Sequence, residues 1–209
     1  MVRSVDPHHT GNGGSKHERQ KIGIPAPGRH HDYSHADRHC PSGSPPTPQE
    51  LAAARLQSEG LMKGDENGEL HLEDSLTRAE LACLISPIVL NPEHVAWETD
   101  WYTRMCTTNF NDVPEWAQVA VGVCASMGMM AGYGDGRFGP SDQVSPQMAC
   151  TVMLRYLERD GWTYDTACDK AAELGLAPAE SLEGDAITRG DMAILLTGSL
   201  DYLAYLQTL

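Results

Sequence analysis

The sequence predicts a mainly α-helical fold of three helix-loop-helix units with short hairpin loops, and three observations predict it. A glycine-rich stretch recurs at an offset of 68 residues. Each copy runs into a hydroxyl residue followed by a long apolar segment. One such helix pair carries too little apolar surface for its own core, whereas three can share one.

Order is expected to begin at Thr47-Pro48-Gln49-Glu50. Thr is the N-cap, Pro takes the first helical position and Glu closes a capping box. The helix, 48–59, stops at Gly60, a residue suited to the left-handed position after a helix. From Gly60 the chain reads Gly60-Leu-Met-Lys-Gly64-Asp-Glu-Asn-Gly68-Glu-Leu70. It aligns without a gap to Gly128-Met-Met-Ala-Gly132-Tyr-Gly-Asp-Gly136-Arg-Phe138. Asn67-Gly68 and Asp135-Gly136 are tight-turn dipeptides between apolar residues, so each loop is expected to form a small hairpin. Thr77-Arg78-Ala79-Glu80 then caps a second helix with an apolar run over 81–90, completing a first unit at 48–90.

An insertion at 91–109 carries Trp97, Trp101 and Tyr102. The middle unit, 110–160, opens its second helix with Ser145-Pro146, a cap plus Pro at the first position. The third unit, 164–206, has a loop four residues shorter, between Glu173-Leu174-Gly175 and Thr188-Arg189-Gly190-Asp191. Ahead of all three, residues 1–47 are rich in Gly, Pro, Ser and His and hold seven of the nine His. Such a segment buries too little apolar surface to fold, so a disordered tail is expected. Metal binding by its histidines is the sharper reading, and a flexible leader the plainer one.

Charge excludes some functions. Residues 1–48 carry a net +2 and residues 49–209 a net −16. An acidic folded part argues against nucleic acid, whose phosphates need a basic face. No apolar run approaches the ~20 residues of a membrane helix. The opening residues, Met1-Val2-Arg3-Ser4-Val5-Asp6-Pro7-His8, hold no apolar signal-peptide core. Export is therefore not expected to be encoded in the chain as written. Of six Cys, residues 83, 124 and 150 sit in apolar helical runs and are expected to be buried free thiols.

Phe110-Asn111-Asp112-Val113-Pro114-Glu115-Trp116, the loop Gly132-Tyr133-Gly134-Asp135-Gly136-Arg137-Phe138 and the start Thr77-Arg78-Ala79-Glu80 together resemble the S-layer homology family. The resemblance implies three tandem repeats around a pseudo-threefold axis, with grooves between neighbours. It also implies a ligand, an acidic secondary cell-wall polymer bearing a pyruvylated amino sugar, and a place at the bacterial cell envelope. On that resemblance Arg78 and Arg189 are the expected anion-binding residues, since a guanidinium fork meets a carboxylate at two points. Glu80 accompanies Arg78 in the motif. Asp112 would accept sugar hydroxyl protons, and Trp116 would face the sugar ring. Gly132, Gly134 and Gly136 would let backbone approach the ligand. Trp116 and Phe138 read equally well as core residues. The middle repeat departs from the pattern, with Pro146 at the Arg position and Met148 at the Glu position.

No cofactor or metal is expected. Counted from Asp65, a calcium loop of the EF type would need Gly at its sixth position and Glu at its twelfth, where Leu70 and Leu76 stand. No nucleophile elbow, phosphate loop or zinc-protease motif occurs, so no enzyme is expected. The competing reading is a protein-interaction or surface-assembly module on a repeat scaffold that has lost sugar binding, with the Trp-rich insertion as its contact surface.

Overall fold

The computed structural model describes residues 45–89 and 110–209; the tail and the 91–109 insertion lie outside the described residues. Six α-helices are found among the described residues: α1 (Pro48–Ser58), α2 (Arg78–Val89), α3 (Gln118–Ser126), α4 (Pro146–Tyr156), α5 (Ala167–Glu173) and α6 (Arg189–Leu206). The architecture is helical, with no strand among these residues.

Local chemistry sets the helix ends. Thr47 accepts from the Glu50 N–H, and Glu50 accepts from the Thr47 N–H at 2.7 Å, a complete capping box. Thr188 accepts from the Asp191 N–H, and Ser145 from the Met148 N–H. Gly60, Gly128 and Gly175 end α1, α3 and α5 with φ of 74°, 70° and 71°. In each case the next N–H reaches back five residues, Leu61 to Leu56 O, Met129 to Cys124 O and Leu176 to Ala171 O. That pattern is the Schellman closure of a helix.

The expected hairpins are reduced to turns. The first long loop turns on Asp65 N–H to Glu69 O and Gly68 N–H to Asp65 O, both at 3.0 Å, and the second on Tyr133 N–H to Arg137 O at 2.9 Å. The Asp65 side chain accepts from the Asn67 and Glu69 N–H groups, which supplies locally what a second strand would supply.

Helix packing follows a cyclic rule. α3 lies on α2, α5 on α4, and α1 on α6, so the first helix of each unit expected from the sequence packs on the second helix of another. The α1–α6 contact is fastened by the Arg55–Asp201 ion pair at 2.8 Å and by Gln49 Nε2 donating to Asp191 Oδ1. At the centre three residues close a hydrogen-bonded ring. Leu76 N–H donates to Ile187 O, Ile187 N–H to Val144 O, and Val144 N–H to Leu76 O, at 3.1, 2.8 and 2.9 Å. All three side chains are buried, within one apolar core drawn from all six helices.

The thiols bear on that core. Cys124 and Cys150 are fully buried and free, while Cys83 and Cys168 are half-buried and free. Burial pushes the Cys124 thiol up to about 12. Cys40 and Cys106 lie outside the described residues.

Candidate functional site

Two clefts form where the second helix of one unit meets the loop of another. At the first, α2 starts against the middle loop: Arg78 N–H donates to Asp142 O and Ala79 N–H to Pro140 O. At the second, α6 starts against the first loop by the matching bonds, Arg189 N–H to Asp74 O and Gly190 N–H to Leu72 O, both 2.8 Å. Residues 142 and 74, and 140 and 72, correspond at the offset of 68. The α4 start has Pro146 at this position, which has no N–H to give.

The two Arg side chains repeat the correspondence. Arg78 donates from its terminal nitrogen to Ala131 O at 2.7 Å, and Arg189 to Lys63 O at 2.8 Å. Arg78 also donates from Nε to Phe138 O at 3.0 Å and stacks on the Phe138 and Tyr133 rings, 4.5 and 5.3 Å from their centroids. It is 7 % exposed. Among the described residues no carboxylate pairs with it. A buried cation ordinarily has an anionic partner, because its desolvation is otherwise poorly offset.

Asp112 holds the same loop from the other side. Its two oxygens accept from the Phe138 and Gly139 N–H groups, both at 2.8 Å, which holds its carboxyl below the usual range. The Phe138 peptide is thus gripped by Asp112 at one end and by Arg78 at the other. Phe138 itself is core, fully buried against Phe110. Trp116 is not: it is 64 % exposed and lines neither cleft. Gly132 is required by packing, since a Cβ there would fall 2.3 Å from Phe110 Cε1 and 2.5 Å from Arg137 O. Gly134 and Gly136 take φ of 85°, the left-handed region their turn demands.

Glu80 serves its own cap, accepting from the Thr77 N–H at 2.8 Å and the Thr77 hydroxyl at 2.7 Å. It lines the cleft of Arg189, not that of Arg78. That cleft, about 330 Å³, also holds Asp65, Glu69, Asp74 and His71. His71 faces Asp65 at 3.1 Å, and this contact with two backbone N–H groups draws the Asp65 carboxyl down to about 2. The cleft of Arg78, about 200 Å³, has no carboxylate in its lining. Arg155, Thr151, Tyr133 and Tyr164 were not read from the sequence as site residues. Tyr133, inside the Gly132-Tyr-Gly134 loop, was the one with a visible signal.

Helix-loop-helix units whose Thr-Arg starts dock on a neighbour's glycine loop define a class, and residues 109–145 match the S-layer homology domain. The wider chain is similar to bacterial surface proteins. It is 29% identical over 157 residues to the middle cell wall protein of Brevibacillus brevis, which covers 72% of this chain and 14% of that protein. It is 28% identical over 159 residues to a cell surface protein of Thermoanaerobacter kivui, covering 74% and 20%. Cell surface glycoprotein 1 of Acetivibrio thermocellus matches at 29% over 104 residues, 49% of this chain and 4% of the glycoprotein. The chain thus spans a fifth or less of each of these relatives. Among the described residues no helix is long and apolar enough to cross a membrane.

Proposed function

We propose that the chain is a non-catalytic anchoring module that binds an acidic, pyruvylated secondary cell-wall polysaccharide at the bacterial envelope. Three repeats arranged about a pseudo-threefold axis would carry the clefts, a reading supported by the cyclic helix packing and the central ring. The observation that carries the function is Arg78: a buried guanidinium with no carboxylate partner among the described residues, at the junction of two units. Arg189 holds the matching position and is more accessible. A polymer carboxylate would complete either one by charge-assisted hydrogen bonds. Asp112, Glu80 and the glycines of the middle loop then act by shaping the clefts, and Trp116 by offering its exposed ring to the glycan.

Co-sedimentation of the full chain with purified wall polymer tests this. Wild type should be retained, and Arg189→Ala should bind about 10- to 100-fold more weakly, the worth of a charged hydrogen bond. The double variant Arg78→Ala/Arg189→Ala should not be retained. Equal retention of wild type and double variant, or none by wild type, refutes anchoring through these residues. The second outcome favours a protein partner instead, for which the exposed Trp116 is the specific observation.

A further inference from the structure

Three helix contacts recur in the molecule, α2 with α3, α4 with α5 and α6 with α1. Two registers align them. Thr77, Ser145 and Thr188 precede α2, α4 and α6, and the fifth residue after each is Ala82, Cys150 and Ala193. Gly128, Gly175 and Gly60 follow α3, α5 and α1, and the seventh residue before each is Val121, Cys168 and Ala53. At two contacts the matched positions therefore hold Ala82 with Val121 and Ala193 with Ala53, all 0 % exposed. The packing asks there only for small or mid-sized apolar side chains. At the contact of α4 with α5 both positions are cysteine.

These two thiols meet. Cys150 and Cys168 share a side-chain hydrogen bond, so their side chains converge across the helix contact. Convergent side chains are what a disulfide requires if the backbone is not to move. Cys83 and Cys124, on α2 and α3, stand outside the matched positions, and the Cys124 thiol donates instead to Ala82 O at 3.7 Å.

The pair is also asymmetric. Cys150 is 0 % exposed, whereas Cys168 is half-buried and reachable from solvent. Burial raises both thiols; the shared hydrogen bond adds to this at Cys150 and opposes it at Cys168. The thiolate is the attacking form, so access and charge both put Cys168 first and Cys150 second.

We propose that Cys150 and Cys168 are a disulfide-forming pair, oxidised by a low-molecular-weight disulfide to a bridge that locks α4 to α5. The Cys168 thiolate attacks one sulfur of the small disulfide, whose S–S bond breaks and releases one thiolate. The Cys150 thiolate then attacks Cys168 Sγ, forming the bridge and releasing the second. Two protein thiols are oxidised, one small disulfide is reduced to two thiols, and the two protons lost by the cysteines end on them. Outside a cell such a bridge persists.

The test is to equilibrate the folded full chain with oxidised glutathione, block the remaining thiols and map the digested peptides by mass spectrometry. A peptide pair joining Cys150 to Cys168, two hydrogens lighter than its parts, should accumulate. The oxidised protein should melt about 5–10 °C above the same protein in dithiothreitol, because the closed loop restricts the unfolded chain. Cys168→Ala and Cys150→Ala place at the contact the residue that fills Ala53, Ala82 and Ala193, so both variants keep the fold. Each should lose the crosslink and the melting difference, while Cys83→Ala keeps both. Absence of the 150–168 crosslink at saturating oxidised glutathione, pairing of Cys168 with any other cysteine, or equal Tm in the two redox states overturns the proposal. So does a melting difference that survives in Cys168→Ala. Neither cysteine lines a cleft, so a failure of polymer binding leaves this result untouched.

Discussion

Arg78, proposed above as an anion-binding residue, also serves the fold. Its fork satisfies the carbonyls of Ala131 and Phe138 and its plane covers two rings. Arg78→Ala leaves both carbonyls short of a donor, and urea denaturation should report a loss of about 2–4 kcal/mol. Arg78→Lys should recover little of this, because an ammonium cannot reproduce a planar fork held between two acceptors. Asp65 gives a residue-scale prediction in pH. Its carboxyl is drawn from 3.8 to about 2, first by His71 and then by the Glu69 and Asn67 N–H groups. A depressed folded-state value stabilises the native loop above the unfolded value, and the contribution disappears as pH falls from 3.8 toward 2. NMR titration should place the Asp65 midpoint near 2 in the wild type, and His71→Gln should move it upward; an unchanged midpoint would show that His71 is not the main cause.

At the scale of elements, α6 packs tightly on the third loop at Gly198. A Cβ at 198 would lie 1.9 Å from Leu176 O and 2.7 Å from its carbon, both backbone atoms that cannot swing aside. Gly198→Ala should therefore destabilise by about 2–3 kcal/mol despite the better helix propensity of Ala, measured by thermal or urea melts. The same scale shows why the sequence was partly readable. Caps and helix stops depend on residues three to five apart, so Thr47, Thr188, Gly60 and Gly175 announced themselves. Hairpins were over-read because Asn67-Gly68 signals a turn and says nothing about whether strands continue beyond it. Phe138 and Trp116 looked alike in sequence; one fills the core and the other is exposed, a difference decided by contacts with Phe110 and Arg78 that are distant along the chain. Glu80 parted from Arg78 for a related reason. Two residues apart at a helix start, they point to different neighbours. Arg155 and Thr151 carried no motif, since their meaning comes only from the cavity they share with Arg78.

For the whole molecule, helix contacts between segments distant along the chain make folding a joint event. The contacts of α1 are made with α6, 130 or more residues later, and those of α4 with α5 in the following unit. A fragment ending at residue 163 would leave the inner faces of both α1 and α4 uncovered. It should show little helical circular dichroism, whereas the full chain should unfold in one cooperative transition. A stable, helical 45–163 fragment would mean that the first two units form a core without the third. The match to the S-layer homology domain covers 109–145, a stretch that includes α3 and its loop, and the structure gives that stretch its partners in α2 and in Arg78.

The central ring of Leu76, Val144 and Ile187 has a consequence for copy number. Each main-chain N–H in it donates to the next carbonyl, and the third returns to the first. Such a circuit has a sense of rotation and no vacant terminal, unlike the stacked face of a solenoid, which always offers a place for one more repeat. Further repeats in a longer polypeptide would have to close circuits of their own.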